Sequence, residues 1–319
     1  MSIFAHREWH NTAVEMSDRG VSGRKIAKAL GMGKSQVNDF LAHYRENITA
    51  LTGKKQPVVL FWDLETSLML SYHFRIWDEN IPISRVKRYS HLLSASWAFD
   101  DGKVQSIRLT PDDVRTCNDL DVVIEMIKAI QKADIIVTFN GKRFDQKVLN
   151  TRALFWGLPP IIYPKHIDLM QEAKKIFNFP SNSMQNISKY LGLDGKIATG
   201  GTLLWERCAN YEDYDACDAA LEEMRVYGDQ DIEATRDLRY RLLGWSKNTP
   251  NVGTIVKEVN GDVKSTELHC VHCGGTDLTP VGKKGYTSVS SFDLYRCGNS
   301  TCRGISRVNA SGKSLVNYL

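Results

Sequence analysis

Hydrophobic positions along the chain recur with two different periods. Near the N-terminus the spacing is helical. Trp9, Ala13, Val14 and Met16 share a face, and Gly20 ends that helix. Ser22 is placed to cap a second helix, Arg24 to Leu30, with Ile26, Ala27 and Leu30 inward. Gly31-Met32-Gly33 predicts a tight turn, and a third helix follows from about Lys34 to Tyr44 on Val37, Phe40 and Leu41. The pattern then changes. Val58-Val59-Leu60-Phe61-Trp62 is an unbroken apolar run, as expected of a buried strand. Two further strands are predicted over His91 to Phe99 and Val104 to Leu109, joined by the hairpin-type turn Asp100-Asp101-Gly102. Helical spacing returns at Leu120, Val123, Ile124, Ile127 and Ile130. A fourth strand, Ile135 to Phe139, precedes a helix from Phe144 to Gly157. A short strand around His166-Ile-Asp168, a short helix Asn186 to Leu193 and a long helical segment near 216–244 complete this region. An antiparallel opening followed by alternating strands and helices is the order of a layered α/β fold with a mixed sheet.

Breakers divide the chain. Thr52-Gly-Lys-Lys-Gln-Pro57 and Ser246-Lys-Asn-Thr-Pro250 are polar linkers. They delimit three domains: residues 1–50, 57–245 and 262–319. A chain of 319 residues is long enough for that division.

Net charge is +4, and its distribution says more than its size. Residues 1–56 and 246–319 each hold nine Lys/Arg against five Asp/Glu, while residues 57–245 hold 23 against 27. An acidic middle between basic ends suits a polyanion gripped at the ends, although imbalances this small are also common without one. There is no apolar leader in the first residues and no run near the roughly 20 apolar residues of a membrane span. A cytoplasmic, reducing setting without membrane contact is therefore expected.

The apolar run ends in chemistry. Asp63 and Glu65 are two apart on one strand, so both carboxylates point to one face. Paired carboxylates at the end of a buried strand repel each other and resist desolvation, and a divalent cation relieves both problems. Two later stretches offer more ligands. Ile135-Ile-Val-Thr-Phe-Asn140-Gly-Lys-Arg-Phe-Asp145 brings an acid to the start of a helix. Tyr227-Gly-Asp-Gln-Asp231 sets a phenol and a carboxylate at i and i+4 on one helix face.

Asp-x-Glu, then Asn-x-x-x-Phe-Asp, then Tyr-x-x-x-Asp, in that order, resembles the tyrosine branch of the DEDD superfamily of 3′→5′ exonucleases. The resemblance covers roughly 57–245. It implies a ribonuclease H-like fold and catalysis by two Mg²⁺ or Mn²⁺ ions. On that resemblance Asp63, Glu65 and Asp231 hold the metal that activates water. Asp63 and Asp145, the latter through water, hold the metal facing the leaving group, and Tyr227 orients the attacking water. Hard oxygen ligands with no His or Cys among them favour Mg²⁺ or Mn²⁺.

Neighbouring residues have plainer readings beside functional ones. Asn140 either contacts a nucleotide or caps its turn, and Lys142 and Arg143 either hold phosphate or are simply solvated. Asp168 reads as structural, His166 as packed or hydrogen-bonded, and Asp229 as pointing away from Asp231. The poorly patterned insertion from Ser67 to Arg88 carries Tyr72, Phe74 and Trp77, which either stack a terminal base or pin the loop to its own domain.

The flanks complete the picture. Val21 to Val37 resembles the helix-turn-helix of resolvases and transposases. Its exposed third-helix residues would be Lys34, Ser35, Gln36, Asn38, Asp39 and His43, with Gln and Asn suited to adenine edges and Lys and Ser to phosphate. The alternative is a small protein-binding bundle. At the other end, Cys270-Val-His-Cys273 and Cys297-Gly-Asn-Ser-Thr-Cys302 are two short-spaced thiol pairs around a predicted β-hairpin. The module resembles a zinc ribbon, with four thiolates preferred over His269 or His272 as ligands of a structural Zn²⁺. Basic residues around it (Lys283, Lys284, Arg296, Arg303 and Arg307) suggest nucleic-acid contact. Cys117, Cys208 and Cys217 are scattered and read as incidental.

The expectation is a metal-dependent 3′→5′ exodeoxyribonuclease acting on DNA, with RNA not excluded, single strands a possible form, and replication or recombination proteins as possible partners. A transposase- or recombinase-like nuclease and a catalytically dead DNA-binding regulator are the alternatives. The three-part arrangement suits a phage or mobile element.

Overall fold

The computed structural model describes residues 8–18, 21–52, 55–75, 80–193, 202–246, 250–309, 312 and 314–318. Trp77 and the side chain of His43 lie outside the described residues.

Three helices open the chain: α1 (Glu8–Asp18), α2 (Gly23–Leu30) and α3 (Lys34–Thr52). Ala13, Ile26, Val37, Phe40 and Leu41 form their shared core. Gly31 ends α2 in the left-handed region at φ 62°, which a Cβ would strain, and this sets the sharp turn into α3. Ser22 occupies the N-cap position of α2, but its hydroxyl makes no cap bond. The third helix runs to Thr52, well past the Tyr44 where its apolar spacing fades.

The central strands follow as β1 (Val59–Thr66), β2 (Leu70–Ser71), β3 (Val86–Arg88), β4 (Leu92–Phe99) and β5 (Gln105–Arg108). Then come α4 (Pro111–Thr116), α5 (Leu120–Gln131), β6 (Ile135–Thr138), α6 (Asp145–Phe155), β7 (Lys165–Asp168), α7 (Leu169–Ile176) and α8 (Met184–Tyr190). Next are α9 (Leu203–Ala209), the long α10 (Tyr214–Leu242), a 3-10 turn at Leu243–Trp245 and α11 (Val252–Val259). A C-terminal sheet of β8 (Leu278–Tyr286), β9 (Ser291–Cys297), β10 (Ile305–Val308) and β11 (Leu315–Asn317) ends the chain.

Five strands form one mixed sheet in the order β5-β4-β1-β6-β7. The first three are antiparallel neighbours, and β1, β6 and β7 run parallel. Both faces are covered, which is why β1 reads as a continuous apolar run instead of an alternating one. Leu60, Trp62 and Leu64 face a core with Met126, Leu149, Leu221 and Met224. Phe61 faces the opposite core, with Val137, Ile167, Ile187, Ile232 and Leu238. By alternation Asp63 and Glu65 share the Phe61 face. The insertion after β1 contains β2 and β3, paired antiparallel, and its aromatics are met by its own cations. Arg85 lies 4.5 Å over the Phe74 ring and Lys87 4.7 Å over Tyr72.

The helical N-terminus sits against α10, which corrects one sequence expectation. Lys34 pairs with Glu233, and Arg24 with Asp237. Asp39 pairs with Lys103 at 3.5 Å. Asn38 is buried, its amide in the space where a Cβ on Gly23 would lie. Of the predicted third-helix face, Lys34, Ser35 and Asp39 are exposed and Gln36 half-buried, but Asn38 packs within the bundle, and Lys34 is already paired with a buried carboxylate. The apolar pattern could not show this, because Asn38 is polar yet occupies a helix-crossing position.

Candidate metal-dependent active site

The carboxylates gather where β1 outruns its parallel neighbour. The β1–β6 pairing covers Val59 to Phe61, and beyond it the chain after β6 turns away through Asn140 to Phe144. The N–H of Leu64 then donates to Asp145 Oδ1 at 3.1 Å, so the first residue of α6 is tied to the strand between Asp63 and Glu65. Asp145 is 2% exposed.

The third acid arrives on α10. This helix crosses β4 and β1, and the crossing is close: a Cβ on Gly228 would lie 2.8 Å from Ser96 Oγ. Ser96 is the ladder partner of Asp63. A glycine inside a helix weakens it, and here the missing side chain lets α10 approach the strand pair. Asp231 follows less than one turn later. Carboxylate oxygens of Asp63, Glu65 and Asp231 lie within 4.8 Å of one another, Asp231 buried and the other two half-buried. Such a group of hard oxygens at one point suits a divalent cation of the Mg²⁺ or Mn²⁺ type. Asp145 stands beside this trio, outside its closest grouping. Tyr227, one turn before Asp231, is half-buried, with its ring edge-on to Trp205 at 6.1 Å. Trp205 carried no sequence signal. Gly228 did, as an isolated glycine within a helical pattern.

Asp168 has a positioning role that its sequence gave no way to see in full. Its carboxylate accepts from the N–H groups of Met170 and Gln171, capping α7, and from those of Asn140 and Lys142 at 3.0 and 3.2 Å. It thus fixes the turn leading into Asp145. Asn140 holds φ 69°, and a Cβ on Gly141 would sit 2.4 Å from Thr138 Oγ1, so this turn has little freedom. The side-chain oxygen of Asn140 has no hydrogen-bond partner among the described residues, so the side chain does not cap the turn. Lys142 is half-buried and Arg143 exposed beside it. His166 bonds Thr138 Oγ1 at 2.8 Å and Gln146 Oε1 at 3.1 Å. Burial, and secondarily the Lys142 charge, push its pKa down to about 3, so it is a neutral packing group. Asp229 bonds Ser96 and Arg225 instead of joining the trio.

The second cluster is sulfur. All four Sγ atoms of Cys270, Cys273, Cys297 and Cys302 lie within 4.8 Å of one another, with Cys270–Cys302 and Cys273–Cys297 each at 3.6 Å. That is far beyond a disulfide bond of about 2 Å. It is close to the edge of a tetrahedron with metal–sulfur bonds of about 2.3 Å. Hydrogen bonds from its neighbours hold Cys270 below the ordinary thiol range. The residues fit Zn²⁺. Neither histidine joins them: His269 bonds the Gly274 carbonyl at 2.9 Å, and His272 is buried with its ring against Gly304. Arg239 is buried beside the sulfurs. Desolvation pushes its pKa down to about 10 against the opposing pull of Cys302, Tyr240, Glu172 and Cys273. Outside the cluster, Cys208 and Cys217 are buried, and Cys217 Sγ donates to the Cys208 carbonyl at 3.2 Å. Cys117 ends α4.

No curated protein sequence matches the chain. Among solved structures it is similar to the family B DNA polymerase of the hyperthermophilic archaeon Pyrobaculum calidifontis, at 16% identity and a TM-score of 0.44. That alignment covers 63% of this chain and 26% of the polymerase, so the chain spans about a quarter of the polymerase's length. The sequence model of RNase_H_2, described as RNase_H superfamily, matches residues 79–243. The match takes in Asp145, Tyr227 and Asp231, while Asp63 and Glu65 precede it. It spans just over half of the protein, and the chain belongs to the RNase_H superfamily.

Proposed function

We propose that the protein is a metal-dependent nuclease that removes nucleotides from the 3′ end of DNA. Superfamily membership supports phosphodiester hydrolysis, and the observation that carries the reading is the oxygen trio of Asp63, Glu65 and Asp231 with Asp145 beside it. Divalent cations bound there would polarise the phosphoryl oxygens and lower the pKa of a bound water. The chain's own residues prepare that site. The Asp145–Leu64 bond fixes one carboxylate relative to the strand, and Gly228 lets α10 deliver another. Tyr227 presents its phenol one turn from Asp231, where it would orient the attacking water, and Trp205 limits its swing. The order of the three motifs supports a 3′ direction of attack, and the basic terminal segments support a polyanionic substrate.

The test is a time course on 3′-labelled and 5′-labelled single-stranded DNA, with the same RNA in parallel, in Mg²⁺ or Mn²⁺ and in EDTA, with Asp63→Ala alongside. The expected result is a ladder shortening from the 3′ end that is lost in EDTA and in the variant. Internal cuts or joined products would overturn the reading in favour of a recombinase-like enzyme. Tight binding without cleavage would favour a regulator.

A further inference from the structure

A cleft of about 790 Å³ opens where α2, the end of α10 and the C-terminal sheet domain meet. Of the two metal clusters, only Cys302 of the sulfur group reaches its lining. Part of it is aromatic. Trp245, Phe177, Phe179 and Tyr190 form a continuous row, with successive ring centroids 5.7, 5.4 and 5.5 Å apart. The two end rings stay open to solvent: Trp245 is 57% exposed and Tyr190 67%. The row therefore keeps a ring uncovered at each end. Another part is cationic. Lys25 comes from α2, Arg241 from α10, and Arg296 and Arg303 from the C-terminal domain, all exposed. Among the described residues none of these four is in an ion pair. The one carboxylate in the described lining, Asp237, is buried and already holds Arg24.

Unmatched cations call for a polyanion, and open ring faces call for flat apolar groups. A nucleic-acid single strand supplies both. A duplex hides its base faces, and an acidic peptide would meet the cations but leave the rings bare. Position fits as well. Arg241 lies ten residues beyond Asp231 on α10, about 15 Å at 1.5 Å per residue. Phe177 packs in the layer covering the sheet face that carries Asp63 and Glu65. We propose that this three-part cleft binds a single-stranded stretch of nucleic acid, stacking bases on Trp245 and Tyr190 and holding phosphates on Lys25, Arg241 and Arg303. Its use as a substrate track rests on the nuclease reading, while the binding itself does not.

The experiment measures binding of fluorescein-labelled dT15 by anisotropy over a salt series, in full-length protein carrying Asp63→Asn so that the strand is not cut. Neutralising Lys25→Gln, Arg241→Gln and Arg303→Gln together should weaken binding at least tenfold. It should also flatten the log–log salt slope by about 2, at roughly 0.7 per phosphate contact. Trp245→Leu or Tyr190→Leu should each weaken it by about tenfold with the slope unchanged. The set Lys25→Arg, Arg241→Lys and Arg303→Lys should restore wild-type binding. With Asp63 intact, hydrolysis of the p-nitrophenyl ester of thymidine 5′-monophosphate, too small to span the cleft, should be unaltered in all variants. Affinity that ignores the neutralised set overturns the proposal, as does a loss equally large in the charge-retaining set. Sensitivity to charge but not to Trp245→Leu or Tyr190→Leu assigns the cleft to a duplex or an acidic partner and also overturns it. If the wild type cleaves nothing, the binding arms still decide the cleft, and only the nuclease reading falls.

Discussion

Replacing Asp168 separates a carboxylate that shapes the site from those that would hold metal. Its side chain is 2% exposed and accepts four backbone N–H groups, two at the start of α7 and two in the turn that delivers Asp145. Asp168→Ala removes an N-cap, a loss of about 1 kcal/mol. It also strips two turn N–H groups of a charged acceptor, at about 1.5 kcal/mol each when part of the lost bonding is recovered from water. The whole is about 3–5 kcal/mol, which for a domain of this size lowers Tm by roughly 10 °C. Asp168→Asn keeps one carbonyl oxygen, and Asn caps helices as well as Asp does. It retains the bonds made by Oδ1, from Asn140, Met170 and Gln171, and loses those made by Oδ2, from Lys142 N and Gln171 Nε2. It should therefore recover more than half of the lost stability together with metal-dependent cleavage. Calorimetry on the three proteins and a single-turnover cleavage assay on the same preparations read both quantities. If Asp168→Ala melts within a degree of wild type, the structural role is wrong. If Asp168→Asn melts like wild type but is inactive, Asp168 acts in the chemistry instead.

Three further outcomes follow from the same geometry. Asp63→Asn relieves repulsion among carboxylates within 4.8 Å, so metal-free protein should gain about 1 kcal/mol while losing both cleavage and the rise in Tm on adding Mg²⁺, read by melting with and without the ion. His166 is depressed to about 3, so below its ordinary value near 6.5 the unfolded chain binds a proton that the folded one does not. Stability should accordingly fall as pH drops from about 6.5 toward 3, by up to about 1.4 kcal/mol per unit, and His166→Gln should flatten that slope in melts between pH 7 and 4. A methyl group on Gly244 would come within 1.7 Å of the Cys302 carbonyl, so Gly244→Ala should force the 3-10 turn after α10 off the sulfur cluster and speed Zn²⁺ loss to a colorimetric chelator, with hydrolysis of a small nucleotide ester retained.

The sequence by itself determined the elements whose burial is one-sided or complete. The apolar run of β1, the stripe of α5 and the short thiol pairs were legible because solvent exclusion and metal geometry act on local spacing. Local spacing also put Asp63 beside Glu65 and Tyr227 one turn from Asp231. It did not show α4, α7, α9 or α11, which are short and owe their helicity to caps and packing, such as the Asp168 cap of α7 and the Asn251 cap of α11. Only the tertiary structure decided what spans the chain. Asp145 reaches β1 through one backbone N–H, and Asp168 closes a turn 26 residues away. Asn38 is buried against Gly23, and Lys34, though exposed, pairs with a buried carboxylate of α10. Four cations and a row of rings from distant segments also share one cleft. Those contacts depend on how packed layers register against one another, and a hydrophobic period read along the chain carries no information about that register.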